Sequence, residues 1–149
     1  MDIRESRLAF TSHELRADHF LTADDGAESR ARQQTDGDFF DVVIDATGNA
    51  EAMRRSLGFV GHGGRYVLLG VVRQDIAFSD PDFHKRETTL LASRNAQPDD
   101  FAEVVRQIEA GRVPTRALNT HHGALSDGPA LFMEWMKPET GVIKAIFEV

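Results

Sequence analysis

The sequence predicts an α/β fold in which parallel strands form a sheet flanked by helices. Three observations predict it: a short apolar run over Phe39–Ala46, a helical segment that ends at Gly63-Gly64, and a second buried strand over Tyr66–Leu69. A strand, a crossover helix and a second strand form a βαβ unit, whose two strands run parallel through a right-handed connection. The ligand side of such a sheet lies beyond the carboxyl ends of its strands.

The composition of the chain bounds its class. The sequence has 149 residues, of which 41% are hydrophobic, so one domain can bury a core without metal or disulfide bonds. Its net charge of −7 argues against binding to the phosphate backbone of nucleic acids. It contains no cysteine, which excludes a cysteine-ligated zinc site within this sequence. No stretch approaches the roughly 20 apolar residues that cross a bilayer, so we expect a cytoplasmic protein with neither a nucleic-acid nor a membrane partner.

The first third of the chain predicts two helices with a short strand between them. Leu8 and Leu15 lie seven residues apart and favour a helix over Arg4–Arg16. His19–Leu21 is predicted as a short strand. The polar segment Ala27–Gln34 predicts a surface helix that ends near Asp36-Gly37.

The middle of the chain carries the βαβ unit. Phe39–Ala46 is rich in branched apolar residues, which predicts a strand covered on both faces. A turn at Thr47–Asn49 follows, and then a helix over Ala50–His62. Its apolar face is made by Met53, Leu57 and Val60, and Gly63-Gly64 predicts a left-handed stop.

Two helices and three short strands are predicted in the remainder. Pro98 begins the more regular helix, and Gly111 ends it; its apolar face is Phe101, Val104, Val105 and Ile108. A second helix is predicted over Pro129–Lys137, burying Phe132, Trp135 and Met136. The predicted strands are Thr88–Ala92, Leu118–Thr120 and Val142–Val149. No repeat or linker is visible, so we predict a single domain over residues 1–149.

Several motifs in a fixed order resemble a known family. They read DVVIDATGN, HGGRYVLLG, DIAFSDPDFHKRETTLLASRNAQPDDF and GVIKAIFEV. Together they resemble the coenzyme-binding part and terminal strand of zinc-type medium-chain dehydrogenases that act on alcohols and polyols. The resemblance runs from Met1 to Val149, and it implies a Rossmann-type fold, an oxidoreductase activity and NAD as cofactor.

The resemblance assigns eleven residues to cofactor binding. Asp2 resembles the acidic residue that holds the adenosine ribose hydroxyls, where a carboxylate favours NAD over NADP; a helix N-cap or a frayed terminus is the structural alternative. The strand ends implied on the adenine side are Ala46, Thr47 and Gly48, and those on the nicotinamide side are Leu69, Gly70 and Val71. Ser93, Arg94 and Asn95 lie in the same neighbourhood, and Lys144 near the pyrophosphate. Ordinary turns, and for Lys144 an exposed strand position, are the alternatives.

Other parts of the family pattern do not occur in this sequence. There is no G-x-G-x-x-G, the loop that grips the pyrophosphate, and the zinc ligands of the catalytic domain are absent. We therefore predict a partial Rossmann-type sheet without the first strand and glycine-rich loop. We assign no catalytic or metal-binding residue, place zinc only in the missing catalytic domain, and expect the chain alone to be inactive, with NAD binding by this chain left open.

Three histidines and two Ser-Asp pairs are the remaining candidates for chemistry. His121 and His122 are adjacent, and neighbours on a strand point to opposite faces, so a surface turn is preferred to a metal site. His84 is interpreted as part of a short turn. Ser79-Asp80 and Ser126-Asp127 resemble helix starts or turns.

The partners implied are a second copy and a complementary chain. The family resemblance implies a homodimer through the edge strand near Thr88–Ala92. Two explanations for the missing half stay open: the sequence is a truncated reading frame, or a separate chain supplies that half. A non-enzymatic interaction module is the alternative from a different class, because an open sheet edge can recruit a partner. A methyltransferase-like Rossmann domain is a further alternative, since an early acid and a DVVIDA strand also suit adenosyl ligands.

Overall fold

The computed structural model of the chain describes residues 1–15 and 17–149. The helices are α1 (Glu5–Glu14), α2 (Ala27–Gln34), α3 (Ala50–Ser56), α4 (Asp80–Lys85), α5 (Pro98–Glu109), α6 (Thr115–Leu118) and α7 (Gly128–Trp135). The strands are β1 (Phe40–Asp45), β2 (Val60–Leu68), β3 (Thr89–Ala92), β4 (Asn119–Ala124) and β5 (Lys144–Glu148). None of the helices in these two ranges is long and apolar enough to cross a membrane.

The chain divides into two compact units. The first unit is Met1 with Leu21–Asn95, and the second is Asp2–Phe20 with Ala96–Val149. The single domain predicted over residues 1–149 stays a prediction.

The first unit is built on a parallel three-stranded sheet in the order β1-β2-β3. Asp45 pairs with Leu68, and Leu68 pairs with Ala92, so the three strands end level with one another. Helix α3 connects β1 to β2, as the βαβ prediction requires. This arrangement confirms the predicted α/β class with a parallel sheet.

The core of the first unit is apolar and nearly closed. Ala27 and Ala31 of α2 are 1% and 0% exposed and pack with Leu21 and Phe59. Small alanine side chains let a helix approach the core closely, while its polar residues remain outside. Met53 of α3 is also buried in this unit, at 1% exposure.

The second unit contains a parallel pair, β4 with β5, and helix α7. Trp135 of α7 stacks on Phe147 of β5 with ring centroids 4.9 Å apart, and His121 of β4 meets the same indole edge-on at 5.8 Å. The Nη2 atom of Arg7 in α1 donates a 2.5 Å hydrogen bond to the carbonyl of Val142. Aromatic stacking and one long-range hydrogen bond thus join the elements of this unit.

The predicted helix over Ala50–His62 is too long. It ends at Ser56, a 3-10 turn spans Leu57–Phe59, and β2 begins at Val60. Val60 was misassigned because its spacing from Met53 and Leu57 fits one face of a helix, while an apolar residue also fits a buried strand. Gly63 does adopt the predicted left-handed conformation, at φ 67°, but inside β2, where the register with β1 shifts.

The expected burial was wrong in two elements. Strand β1 is covered on one face only, since Val42 and Ile44 are 47% and 59% exposed. Side chains alternate along a strand, so these two share the face opposite to α3. The helix predicted over Pro129–Lys137 is α7 (Gly128–Trp135); Phe132 and Met136 are exposed, and only Trp135 of the predicted trio is half-buried.

Three further elements also differ from the predictions. His19–Leu21 forms no strand, and Leu118 belongs to α6, with the strand starting at Asn119. Helix α1 covers Glu5–Glu14, and Arg16, the predicted end of this helix, lies outside the described residues. The predictions for α2 and β3 agree within one residue, and α5 begins at Pro98 and is followed by a left-handed Gly111.

Candidate functional site

Nine of the predicted cofactor residues lie at one edge of the first unit's sheet. We call it the carboxyl edge: residues 46–48 after β1, 69–71 after β2 and 93–95 after β3. The amides of Leu69 and Gly70 donate to the carbonyl of Asp45 at 2.9 and 3.1 Å. The amide of Ser93 donates to the carbonyl of Leu68 at 3.0 Å. Main-chain hydrogen bonds therefore tie the three strand ends together.

The carboxyl edge is exposed, and its surface is largely apolar and main-chain. Leu69 is 48% exposed and Val71 is 87% exposed, and residues 46–48 are exposed as well. Arg94 is the one charged residue among the nine. Apolar side chains beside main-chain donors and acceptors suit a flat heteroaromatic group with a few polar substituents.

Two glycines allow the turns of this edge to pack against each other. A Cβ atom at Gly70 would lie 2.8 Å from the nitrogen of Gly48, closer than any side chain tolerates. Gly48 adopts φ 61°, a left-handed conformation that favours glycine. Space above Gly48 is open, because a Cβ there would meet nothing within 4 Å in the described chain. A ligand can therefore approach this backbone closely, which fits the cofactor role implied by the resemblance.

A buried carboxylate that sequence reasoning missed lies directly below this edge. Asp45 is 2% exposed, and its Oδ1 atom accepts from the amide of Thr47 at 2.9 Å and from the Thr47 hydroxyl at 2.7 Å. Its Oδ2 atom accepts from the Ser56 hydroxyl at 2.9 Å. The available signal was an acidic residue at a strand position that otherwise reads as apolar, because buried charges persist only where hydrogen bonds compensate them.

Tyr66 closes the core side of the same network. Its hydroxyl donates to the carbonyl of Met53 at 2.7 Å and lies 3.5 Å from Oδ2 of Asp45. A hydroxyl has one hydrogen, so the shorter contact takes it. Burial, and then the neighbouring Asp45 charge, raise the pKa of Tyr66, so the phenol stays neutral and remains a donor.

Two predicted cofactor residues lie in the second unit. Asp2 is half-buried, and its Oδ1 atom accepts from the amide of Arg4 at 2.8 Å. Arg4 is the N-cap of α1, so the alternative of Asp2 as the helix N-cap is wrong. Lys144 is exposed at the start of β5. Their assignment to the ribose and the pyrophosphate stays a prediction.

The turn after β3 has a structural as well as a functional explanation. Asn95 adopts φ 59°, a left-handed conformation that asparagine tolerates better than most residues. Both Arg94 and Asn95 are exposed. The geometry therefore fits the turn alternative for Asn95 and leaves the Arg94 guanidinium open to solvent at the edge.

Each of the three candidate histidines has its own separate contacts. His121 and His122 lie on β4, so the surface-turn interpretation is wrong, while their side chains differ in setting: His121 contacts Trp135, and His122 Nδ1 lies 3.4 Å from Glu148 Oε1. His84 lies in α4, 3.3 Å from Asp80. Across residues 1–15 and 17–149, no group of three or more His, Cys, Asp or Glu residues is placed to hold a metal ion.

The Ser-Asp pairs behave as local structure. The Ser79 hydroxyl caps α4 by accepting from the amide of Asp82 at 3.4 Å. Ser126 and Asp127 lie in a 3-10 turn that leads into α7. Both fit the predicted helix-start or turn role.

An open depression of about 460 Å³ beside α3 and α4 was not predicted from the sequence. None of the eleven predicted cofactor residues lines it. Three arginines do, but each is already engaged: Arg86 donates to the carbonyl of Gly58 at 2.6 Å, Arg55 to that of Asp24 at 3.1 Å, and Arg54 pairs with Glu51 at 3.3 Å. Each of the three guanidinium groups thus has a partner within the protein.

Sequence comparisons match this chain to dehydrogenases. A family model described as zinc-binding dehydrogenase matches residues 1–110. L-galactonate-5-dehydrogenase of Escherichia coli K12 is 43% identical over 94 residues, which are 63% of this chain and 28% of that protein. Across the curated relatives that it matches, the chain spans between 26% and 42% of their length.

Solved structures agree with the fold. An oxidoreductase/dehydrogenase of unknown specificity from Escherichia coli superimposes with a TM-score of 0.88 at 23% identity, over 99% of this chain and 42% of that one. A short chain alcohol dehydrogenase from Escherichia coli CFT073, solved with NADH, gives a TM-score of 0.77 at 17% identity, over 91% of this chain and 40% of that one. These similarities confirm the Rossmann-type α/β fold predicted from the sequence.

Proposed function

We propose that the carboxyl edge holds the cofactor of an NAD-dependent alcohol or polyol dehydrogenase. The chain belongs to the zinc-binding dehydrogenase family, because the model of that family matches residues 1–110. The observation that carries the proposal is the hydrogen bonding of Leu69, Gly70 and Ser93 to neighbouring strand ends, which joins three turns into one open surface. Cofactors of parallel α/β sheets bind beyond the carboxyl ends of the strands.

Each part of the edge has a proposed role. Leu69 and Val71 supply apolar surface for the nicotinamide ring, and the main chain of residues 69–71 orients its carboxamide. Residues 46–48 border the adenine side, and residues 93–95 complete the edge. Asp2 is proposed for the ribose hydroxyls and Lys144 for the pyrophosphate. When bound, the cofactor supplies the acceptor for a hydride; these residues bind and orient it.

The substrate oxygen must be polarised by another group. Alcohol oxidation needs an electrophile such as zinc to stabilise the developing alkoxide. This sequence contains no cysteine. We therefore propose that zinc and its ligands belong to a catalytic segment outside this sequence. The proposed substrate is a secondary alcohol of a polyhydroxy compound, which the name of the galactonate relative supports.

A homodimer through β3 is the proposed assembly. Strand β3 lies at the edge of its sheet, and all four of its residues are exposed. An edge strand offers unpaired N–H and C=O groups that can pair with a second strand. Sedimentation of the chain at micromolar concentration tests this proposal, and a monomer would contradict it. The cytoplasmic location expected from the sequence stays a prediction.

Titration of the full chain with NADH tests the cofactor site, with saturation-transfer NMR as a readout suited to weak binding. Val71→Asp puts a charge beside the proposed ring surface, and we expect binding to weaken by about tenfold or more. Val149→Asp is the matched control at another exposed valine, and it should leave binding unchanged. Equal effects of the two variants would contradict the proposal.

Two further measurements separate the rival functions. Binding of S-adenosylmethionine in preference to NADH would favour the methyltransferase-like alternative. Absence of binding to either nucleotide, together with a stable protein complex through β3, would favour the interaction module. Robust alcohol oxidation by the purified chain alone would contradict the separate catalytic segment.

A further inference from the structure

The Thr47–Asn49 turn of the carboxyl edge is held by a directed chain of hydrogen bonds that begins at a buried carboxylate. The Thr47 hydroxyl donates to Oδ1 of Asp45 at 2.7 Å, and the same hydroxyl oxygen accepts from the amide of Asn49 at 3.2 Å. Oδ1 of Asn49 then accepts from the amides of Glu51 and Ala52, both at 3.0 Å, which caps α3. The chain thus runs from Asp45, through the turn, to the start of the helix.

The direction of these hydrogen bonds follows from the partners of Oδ1 of Asp45. This oxygen accepts from the Thr47 amide at 2.9 Å, and the Thr47 hydroxyl gives its single hydrogen to the same oxygen at 2.7 Å. The lone pairs of the hydroxyl are then available to the Asn49 amide. Without the carboxylate, that hydroxyl is free to rotate, and the hydrogen bond from Asn49 loses its fixed acceptor.

Asp45 also links this turn to its neighbour and to the core. Its main-chain carbonyl accepts from the amides of Leu69 and Gly70, whereas its Oδ2 atom accepts from Ser56. One residue therefore contacts the turn after β1 through Oδ1, the turn after β2 through its carbonyl, and the core through Oδ2. A residue needed only for core stability has no reason to direct one oxygen at an exposed turn.

We propose that Asp45 is a positioning residue for the carboxyl edge: its Oδ1 atom fixes the Thr47–Asn49 turn in the conformation that receives the cofactor. The proposal rests on the proposed function for its ligand and on the hydrogen bonds above for its mechanism. Asp45 itself does not touch the cofactor. It acts through Thr47 and Gly48, whose backbone is exposed at the edge.

Amide hydrogen exchange of the full chain, measured by NMR, tests the positioning step. In Asp45→Ala, exchange at Asn49 should rise about tenfold relative to Val67 of β2, because the Thr47 hydroxyl that accepts from the Asn49 amide is no longer held in place. Asp45→Asn keeps an oxygen for Thr47 and should restore exchange to within about threefold of the original protein. Ser56→Ala, the matched control, removes the Oδ2 partner and should leave the ratio of Asn49 to Val67 exchange unchanged.

Two exchange results would overturn the proposal. Equal acceleration at Asn49 and Val67 in Asp45→Ala would show a role in global stability alone, and unchanged exchange at Asn49 would show no role in the turn. If Asp45→Ala does not fold, Thr47→Ser and Thr47→Val decide instead. Serine keeps the hydroxyl and should preserve exchange at Asn49, whereas valine should raise it; identical behaviour of the two would overturn the proposal.

NADH binding by the same variants separates this inference from the proposed function. Asp45→Ala should weaken binding by about tenfold, and Asp45→Asn should restore it. Binding that survives in Asp45→Ala, with the turn loosened, would overturn the positioning role. If the original protein binds no NADH while the exchange pattern appears as described, the proposed function fails and Asp45 remains the residue that orders this turn.

Discussion

The two units of this chain differ in how far they bury their apolar residues. Among residues 1–15 and 17–149, the buried hydrophobic side chains all belong to the first unit; they are Leu21, Ala27, Ala31, Met53, Phe59, Val60 and Tyr66. In the second unit, the apolar face of α5 is 41% to 64% exposed, and Phe132, Met133 and Met136 around α7 are exposed as well. Burial stabilises a fold at roughly 25 cal/mol per Å² of apolar surface, so the first unit carries most of the hydrophobic stabilisation.

The apolar face of α5 shows what an amphipathic pattern can predict. Phe101, Val104 and Ile108 lie on one face of α5, at the spacing that predicts a buried face, yet each is more than two fifths exposed. Helical periodicity shows that a helix has an apolar face, and the capping box formed by Gln97 and Asp100 shows where it begins. What covers that face is decided by tertiary contacts, which periodicity does not contain.

The largest expected effect compares one methionine from each unit. Met53→Ala empties a site that is 1% exposed, and we expect the free energy of unfolding to fall by about 3 kcal/mol. Met133→Ala alters a side chain that is 67% exposed, so the change should stay within about 0.5 kcal/mol. Urea denaturation measures both. Similar losses for the two variants would show that the second unit buries Met133 in solution and would break the comparison.

The sequence predicted the fold where one local pattern allows one structure. Branched apolar residues marked β1, and Pro98 with Gly111 marked the two ends of α5. Val60 shows the limit, because a buried apolar residue fits a helix face and a strand equally well. Only the pairing of β2 with β1, including the register shift before Val42, decides between them.

The candidate site was predictable to the same degree. Strand ends follow from strand predictions, and the ligand side of a parallel sheet lies beyond them; the family resemblance then implied residues 46–48 and 69–71 as cofactor contacts. Asp45 was missed because its hydrogen-bond donors lie at different distances along the chain: Thr47 is two residues away and Ser56 eleven. A carboxylate in a strand signals that donors exist, but the sequence does not say which residues they are.

A second prediction uses the single tyrosine and the single tryptophan, whose spectroscopic signals follow the unfolding of different units. Tyr66 lies in the first unit and Trp135 in the second. With less surface buried around it, Trp135 should change its fluorescence at a lower urea concentration than the change in Tyr66 absorbance. Met53→Ala should shift the Tyr66 transition and leave the Trp135 transition in place. Coincident transitions that move together would show one cooperative unit instead of two.

The smallest expected effect is electrostatic and compares a surface arginine from each unit. Asp24 Oδ1 lies 2.5 Å from Arg30 Nη2 and accepts from the amide of Gly26 at 2.8 Å. The Arg30 hydrogen bond, followed by that of Gly26, lowers the pKa of Asp24 below its usual 3.8. A lowered pKa in the folded chain means that this pair stabilises the fold above about pH 4 and that the contribution is lost as the pH falls through the folded pKa.

Arg30→Met should raise the pKa of Asp24 toward 3.8, as followed by an NMR titration of its side-chain carboxyl group. Arg106→Met is the control in the second unit, where Arg106 pairs with Glu103 on α5, and it should leave the titration of Asp24 unchanged. Arg30 is half-buried and Arg106 is exposed, and surface ion pairs contribute little, so both variants should stay folded at neutral pH. If the pKa of Asp24 does not respond to Arg30→Met, the Gly26 amide alone lowers it. The Asp24–Arg30 pair would then contribute nothing to the difference in stability between the two units.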